Sequence, residues 1–343
     1  MSRLEAHRIR GCLLAGAVGD ALGDPVEFLS TAAIERLHGP TGVSGPTRHC
    51  HITDDTQMTL FGCEALLTLD AGGSPDLDAL TSSFHLGYLR WYATQAGAAD
   101  RVPWPDHADP SVRSGGLLDR RELWARRAPG VTTMSALASG VCGSPLEPTN
   151  DSKGCGTVMR CAPLALLDEP WDATIRTSAI THGHPLAGLA AAFQAQVLHR
   201  LLRSSPLDEA IASGIERLAE SEHRADISGA AVAETRAAVQ AALTLAEEVP
   251  RPTPAAVEQL GGGWVADEAL AIALYAACTA TDLGSGVLTA VNHSGDSDST
   301  AAMAGNLLGA LHGAAAIPAA WIEALDERSA VESMADAVVD RFG

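Results

Sequence analysis

Residues 291–313, VNHSGDSDSTAAMAGNLLGALHG, constrain the fold of this chain more than any other stretch. Ala301, Ala304, Leu308 and Leu311 recur at i, i+3, i+7 and i+10, the period of a helix with an apolar face. Gly305 and Gly309 interleave with them and let a neighbouring backbone come close. A segment so small and apolar reads as a buried helix, yet it opens on Asp296, Ser297, Asp298, Ser299 and Thr300. Two aspartates therefore sit on the turn that leads into it. Residues 52–69, ITDDTQMTLFGCEALLTL, repeat the design, with Thr53, Asp54 and Asp55 at the mouth of a second apolar helix.

The rest of the chain points to an all-α fold. Alternating Val/Ile/Thr/Tyr runs are scarce, and six Trp, five Phe and three Tyr are few for 343 residues. That length buries an ample core without disulfide staples. Helices are predicted over about 5–22, 54–70, 77–94, 130–140, 173–181, 186–202, 207–220, 229–248 and 267–280, with Pro25 stopping the first. Residues 97–116, rich in Pro, Asp and Gly, read as an irregular insertion or a lid, and 71–78 as a polar turn. The Gly-rich residues 152–156 lead toward an expected apolar helix, while 250–254 (PRPTP) and 261–265 (GGGWV) read as a surface linker and a break. No fixed-period repeat is present. Polar clusters recur between helices over the whole length, which predicts a compact multi-helix bundle, one domain over 1–343, with a site assembled from loops at helix ends.

The formal net charge is −19 and Lys153 is the sole lysine, which argues against an extended nucleic-acid-binding surface. Seven cysteines form no CxxC pair and are odd in number, so reduced thiols and a cytoplasmic location are expected. The apolar run near the N-terminus is broken by Gly16, Gly19 and Asp20, unlike a secretory signal. No segment approaches the roughly 20 apolar residues of a membrane span, so no membrane partner is expected.

If the fold brings Asp54, Asp55, Asp296 and Asp298 together, four like charges repel strongly unless cations neutralise them. Oxygen ligands of this kind select Mg²⁺, Mn²⁺ or Ca²⁺ over zinc. Capping is the rival explanation, since Asp54-x-x-Gln57 fits a capping box and Asp298 stands ahead of its own helix. Capping needs one carboxylate per helix, and each mouth carries two. His49, Cys50 and His51 lack a second Cys/His pair at zinc spacing and frame the loop before Asp54. Tyr92, Trp104 and Trp124 are aromatic candidates for stacking on a base, with burial the default for each.

GDALGDPVEF, ITDDTQM, SKGCGTVMR, ITHGHP and GDSDST, in this order and at these separations, resemble the ADP-ribosylglycohydrolase family, which includes dinitrogenase reductase-activating glycohydrolase and the eukaryotic ADP-ribosylhydrolases. The resemblance runs from about Gly11 to Gly313. It implies an all-α fold with two Mg²⁺ ions, or Mn²⁺, at the floor of a cleft. By match of motif, Thr53, Asp54, Asp55, Asp296, Asp298 and Ser299 are the implied metal ligands. Ser299 stands where the family commonly has Thr and is followed by Thr300, so either hydroxyl can coordinate. Ser294 replaces a frequent Gly, a change expected to narrow the approach to the metals.

Glu27 matches the glutamate of the family's mobile loop and is the implied proton carrier; Asp55 and Asp298 complete the implied catalytic set. Ser152, Lys153, Gly154, Cys155 and Gly156 are expected along the diphosphate, as a Gly-rich turn with N–H groups aimed at the anion, and His182 near the ADP-ribose. Arg160 is expected to be structural. The implied partner is an ADP-ribosylated protein or other ADP-ribosyl conjugate, and the implied product is ADP-ribose. Arginine is the favoured acceptor, ahead of serine, nucleic-acid and small-molecule conjugates. Two rivals use the same residues: a catalytically silent ADP-ribose-binding or structural relative, and a phosphoesterase that cuts the diphosphate.

Overall fold

The structure, a computed structural model, describes residues 4–47, 49–69 and 76–343, so most of the turn expected at 71–78 lies outside the described residues, and its last two residues open a helix. Among those residues it contains fifteen α-helices, several short 3-10 turns and no sheet. In order they are α1 (Ala6–Gly23), α2 (Thr31–His38), α3 (Asp54–Leu67), α4 (Leu77–Ala96), α5 (Val131–Ala138), α6 (Pro170–Ser178), α7 (Pro185–Leu201) and α8 (Leu207–Ser221). Then follow α9 (Gly229–Glu248), α10 (Pro254–Val257), α11 (Ala266–Thr279), α12 (Leu283–Val291), α13 (Ser297–His312), α14 (Ala319–Glu323) and α15 (Arg328–Phe342).

The first and thirteenth helices, far apart in sequence, form the spine. Both are apolar on nearly every side, and α1 is buried continuously from Gly11 to Gly23, which is where a helix without a polar face has to lie. They touch backbone to backbone. A Cβ added to Gly305 would stand 2.2 Å from the Ala15 carbonyl oxygen, and one on Gly309 would stand 2.0 Å from that of Gly11. Neither contact can yield by rotating a side chain. Gly305→Ala is therefore expected to lower the unfolding free energy by about 3 kcal/mol or more, read as a shifted urea midpoint. A midpoint within error of the parent would contradict this interlocked spine.

Other helices wrap the spine. α12 and α11 lie against α13, α3 and α15 against α1, and α7 bridges α6, α8 and α11. One apolar cluster runs from Leu4 to Val338, so a single core serves the whole described chain. No helix among the described residues is long and apolar enough to cross a membrane.

The expected elements differ from the observed ones at definite places. The Gly-rich segment does not lead into an α-helix: Cys155–Thr157 and Ala162–Leu166 are 3-10 turns, with Pro163 near the start of the second. Pro254, assigned to a linker, opens α10, where the missing N–H of proline costs nothing. Residues 97–116 are irregular as expected, and the chain of short 3-10 turns continues beyond them to Trp124. Helices α2, α12, α14 and α15 carry no expectation from periodicity; α12 follows a full capping box at Asp282 and Ser285.

Candidate active site

The site grows from the N-terminus of α3. Thr53 is its N-cap, with Oγ1 accepting from the Asp55 N–H at 3.3 Å, so Asp54 does not cap the helix. Gln57 does not close a capping box either, because its Oε1 accepts from Trp91 Nε1 at 3.0 Å and from Gln95 Nε2 at 2.9 Å. The orphan donors of this helix are met from another element. Asp20, fully buried on α1, accepts from the Thr53 N–H, Thr53 Oγ1 and the Thr56 N–H. A carboxylate lent by α1 thus frees Asp54 and Asp55 from capping duty.

Asp20 lies in the GDALGDPVEF motif as an aspartate inside an apolar helix, but sequence reasoning gave it no role. Its removal strands two buried N–H groups, so Asp20→Ala is expected to cost about 2–4 kcal/mol of stability by urea denaturation. An unchanged midpoint would exclude the capping role.

α13 repeats the economy. Asp296 is its N-cap residue but makes no side-chain capping bond. Asp298 accepts only from the adjacent Ser299 N–H, at 3.0 Å, among the hydrogen bonds of its side chain. Glu27 reaches the same place from the turn after α1, and the carboxylate oxygens of Glu27, Asp296 and Asp298 lie within 4.8 Å of one another. Asp54 and Asp55 line the same cleft, of about 360 Å³, without joining that closest group.

Burial dominates the electrostatics. It pushes Asp54 up to about 8 and Asp20 up to about 7, and it raises Asp55 and Asp298 well above the carboxylate range. Neighbouring carboxylates add to each rise except at Asp20, where hydrogen bonds oppose it. Glu27, half-buried, is pushed to about 8 by desolvation and then by Asp296 and Asp54. Asp296 is raised by burial against a hydrogen bond from the Cys155 thiol, whose Sγ donates to Oδ2 at 2.8 Å. Asp55 Oδ2 is buried with no hydrogen-bond partner. Asp54 Oδ2 accepts from the Gly130 N–H at 3.3 Å. Buried carboxylates at this density, with few hydrogen bonds and no cationic partner, are the donor set a hard divalent cation fits.

The two hydroxyls of the second motif separate. Ser299 lines the cleft, while Thr300 Oγ1 is engaged with the Asp296 carbonyl at 2.8 Å, the Ala290 carbonyl at 2.9 Å and His293 Nε2 at 2.9 Å. Ser294 does not narrow the cleft as expected. Its Oγ donates to Glu258 Oε1 at 2.6 Å and accepts from the Thr31 N–H at 2.8 Å, tying the start of α2 to the turn before Gly295.

Gly154, Cys155, Gly156 and His182 line the cleft; Thr53, Ser152 and Lys153 are not among its lining residues. Thr53 Oγ1 donates to Asp20, Ser152 Oγ lies 3.1 Å from Thr132 Oγ1, and Lys153 Nζ lies 4.0 Å from Glu234. The Gly-rich turn spends part of its N–H supply on the fold: Cys155 N–H donates to the Trp264 carbonyl at 3.2 Å and Gly154 N–H to Ser152 Oγ at 3.3 Å. The expected row of free N–H groups is thus shortened at both residues. The missing side chains have another use. A Cβ on Gly156 would stand 2.9 Å from His182 Cε1, so the turn lies flat against that ring.

His182 is buried and held neutral, its pKa lowered to about 3 by desolvation and then by Arg160. Arg160 Nη2 donates to Thr181 Oγ1 at 2.6 Å, and Thr181 Oγ1 lies 2.8 Å from His182 Nδ1. Arginine only donates, so Thr181 Oγ1 accepts from Arg160 and keeps both a proton and a second lone pair for His182 Nδ1. Arg160 is fully buried over the Tyr88 ring at 4.3 Å, in keeping with the structural role expected of it.

Tyr92, Trp104 and Trp124 pack partly buried against the core and take no part in the cleft. The aromatic residues at its rim are Phe28 and Trp264, which sequence reasoning missed: Phe28 ends the GDALGDPVEF motif and Trp264 lies in the GGGWV break, but their pairing is set only by the fold. The non-glycine residues with positive φ among the described residues are Phe28, Ala128 and Ser204, and the first two line the cleft, as strained residues at functional sites do. His49 and His51 pair with the carboxylates of Asp326 and Glu327. No zinc-like group forms there among the described residues. All seven cysteines are free. A separate cavity of about 400 Å³ beside α2, α10 and α12 has Glu35 as its one titratable side chain and offers no comparable chemistry.

Buried carboxylates at two helix N-termini, a Gly-rich turn and a neutral histidine thus meet in one cleft of an all-helical chain. The sequence model of the ADP-ribosylglycohydrolase family matches residues 1–343, and the chain belongs to that family. It is an enzyme of the class that cleaves the glycosidic bond to ADP-ribose. It is 27% identical over 347 residues, covering 97% of this chain and 78% of the relative, to the ADP-ribosylarginine hydrolase Tri1 of Pseudomonas putida (strain GB-1). It is 27% identical over 334 residues, 93% of this chain and 90% of the relative, to the ADP-ribosyl-[dinitrogen reductase] glycohydrolase of Rhodospirillum rubrum. A solved structure described as an ADP-ribosylglycohydrolase-related protein complex superposes with a TM-score of 0.66 at 26% identity, covering 98% of this chain and 99% of the other.

Proposed function

We propose that this chain is a divalent-cation-dependent hydrolase that releases intact ADP-ribose from ADP-ribosylated arginine on a protein. The observation that carries the cation is the surplus of buried carboxylates, above all Asp55 Oδ2, which is out of water and without a partner. Asp54, Asp55, Asp296, Asp298 and Ser299, which line the cleft, would hold two Mg²⁺, or Mn²⁺, ions, and Thr53 would join them only with a lone pair of the hydroxyl that donates to Asp20. Bound there, such ions polarise the ribose hydroxyls and lower the pKa of water.

The chain's own groups supply the remaining chemistry. The glycosidic bond between C1″ and the guanidino nitrogen breaks, water oxygen bonds to C1″, and the arginine side chain leaves with a proton. Glu27 stands at the acidic end of the cleft and is the group placed to move that proton. In the metal-free chain its pKa is raised to about 8 by desolvation and then by Asp296 and Asp54. The His182 ring and the flat Gly154–Gly156 turn, which line the cleft, would give the diphosphate a polar contact and close backbone approach. Arginine is preferred as acceptor because two relatives over nearly the whole chain carry arginine or dinitrogen reductase in their names.

The test is product release from an arginine-ADP-ribosylated protein with Mg²⁺ and with EDTA, resolving ADP-ribose from AMP. Intact ADP-ribose that appears only with metal supports the reading. AMP would make the enzyme a phosphoesterase, and no product from arginine, serine or nucleic-acid conjugates would leave an ADP-ribose-binding relative.

A further inference from the structure

Phe28 and Trp264 stack at the rim of the cleft, with ring centroids 5.1 Å apart and planes inclined by 20°. Phe28 is 72% exposed and Trp264 is 42% exposed, an arrangement that leaves aromatic surface in water. Phe28 also holds φ at +66°, a conformation that bulky side chains rarely adopt. Exposure and strain at one residue both cost stability, and neither serves the core.

The pair is anchored to the reacting end. Phe28 directly follows Glu27. Trp264 is fixed on both sides, because the Asp296 N–H donates to the Gly262 carbonyl at 2.8 Å and the Trp264 carbonyl accepts from Cys155 N–H. The stack therefore lines the cleft beside Glu27 with part of its aromatic surface in water. The titratable side chains lining the cleft are five carboxylates, Cys155 and neutral His182, with no lysine or arginine among them. A rim of π-faces beside carboxylates attracts a planar cation.

We infer that Phe28 and Trp264 form the acceptor subsite and seat the guanidinium of the ADP-ribosylated arginine, making this pair the determinant of acceptor choice. The inference rests on the proposed hydrolase reading and names what that site selects. Arginine's delocalised, weakly hydrated guanidinium suits an aromatic face, whereas a serine acceptor offers no cation and a nucleic-acid acceptor brings phosphates toward carboxylates.

The experiment compares the parent with Trp264→Ala and Phe28→Ala on arginine-linked and serine-linked ADP-ribosyl peptides. For arginine, kcat/KM is expected to fall about 5- to 30-fold in each variant, mainly through KM, the range expected for partly desolvated cation–π contacts. For serine it should change less than about twofold if this substrate is cleaved at all. Trp264→Phe should recover most of the arginine activity, which a merely spatial role of the indole would not predict.

A binding arm removes turnover from the question. Calorimetry on Glu27→Gln, with and without Trp264→Ala, measures ADP-ribosyl-arginine against ADP-ribose. The aromatic substitution should weaken only the arginine conjugate. Equal weakening of ADP-ribose would show that the stack holds the adenine or gates the cleft, and it would overturn the inference. A parent that hydrolyses no conjugate yet shows the selective loss would count against the hydrolase reading and leave the arginine subsite standing.

Discussion

Asp298→Asn is expected to lower ADP-ribose release by roughly 10²- to 10⁴-fold with Mg²⁺ present, while the metal-free variant melts above the parent at pH 8. The two effects share one cause. Asp298 is buried among Asp55, Asp296 and Glu27, and its pKa is raised well above the carboxylate range by desolvation and then by those charges. Without a cation, an amide of the same shape removes repulsion; with one, it removes a ligand worth several kcal/mol of transition-state stabilisation. Differential scanning fluorimetry in EDTA and in Mg²⁺, beside the release assay, reads both. The parent should gain stability from the ion by mass action, and the variant should gain much less. Full Mg²⁺-dependent activity in the variant would end the assignment.

The second large effect is on pH dependence. Folding raises Glu27 and Asp54 to about 8 and Asp20 to about 7, all above their ordinary values. A group raised by folding contributes stability that is fully present below its unfolded pKa and is lost as pH climbs through the folded one. The EDTA-treated protein should therefore lose stability between about pH 4 and pH 8, with Tm falling by roughly 5–10 °C from pH 5 to pH 8.5. Saturating Mg²⁺ binds the ionised carboxylates, so its stabilisation should be largest at the alkaline end. A metal-free Tm that rises over this range would contradict a carboxylate-crowded floor.

Both effects follow from how capping is shared out. A lone helix mouth with two aspartates invites the reading that one of them caps it, and sequence spacing alone supports that for Asp54 and Gln57. The fold assigns the work elsewhere: Thr53 caps, Asp20 satisfies the donors of Thr53 and Thr56, and Gln57 bonds Trp91. What remains at each mouth is carboxylate that caps no helix. Asp20 could not be found by pattern, since its partners lie 33 and 36 positions away.

The helical class, the buried character of residues 297–312 and the recurrence of acidic turns were legible because they depend on local period and composition. Leu77–Ala96, Pro185–Leu201 and Gly229–Glu248 fall close to their expected bounds for the same reason. The polar motifs also carried enough chemistry to indicate the family. The roles of Ser299 and Thr300 were not legible, because neighbouring hydroxyls differ only in which way the helix turns them. Thr300 faces the carbonyls of its own helix and of Ala290, while Ser299 faces the cleft. Ser294 turned toward Glu258 for a like reason, a partner 36 residues away.

The sequence by itself determined the material of this protein: apolar helices of small residues, acidic turns at their mouths, and a Gly-rich turn with a histidine after it. Tertiary structure alone decided which carboxylates are spent on the backbone and which stay unpaired, and which aromatic residues meet at the rim. Period and propensity act over one or two helical turns. Desolvation and charge repulsion depend on who is within a few ångströms, and in this chain the nearest neighbours of Asp298 include Glu27, brought there by the close crossing of the first and thirteenth helices.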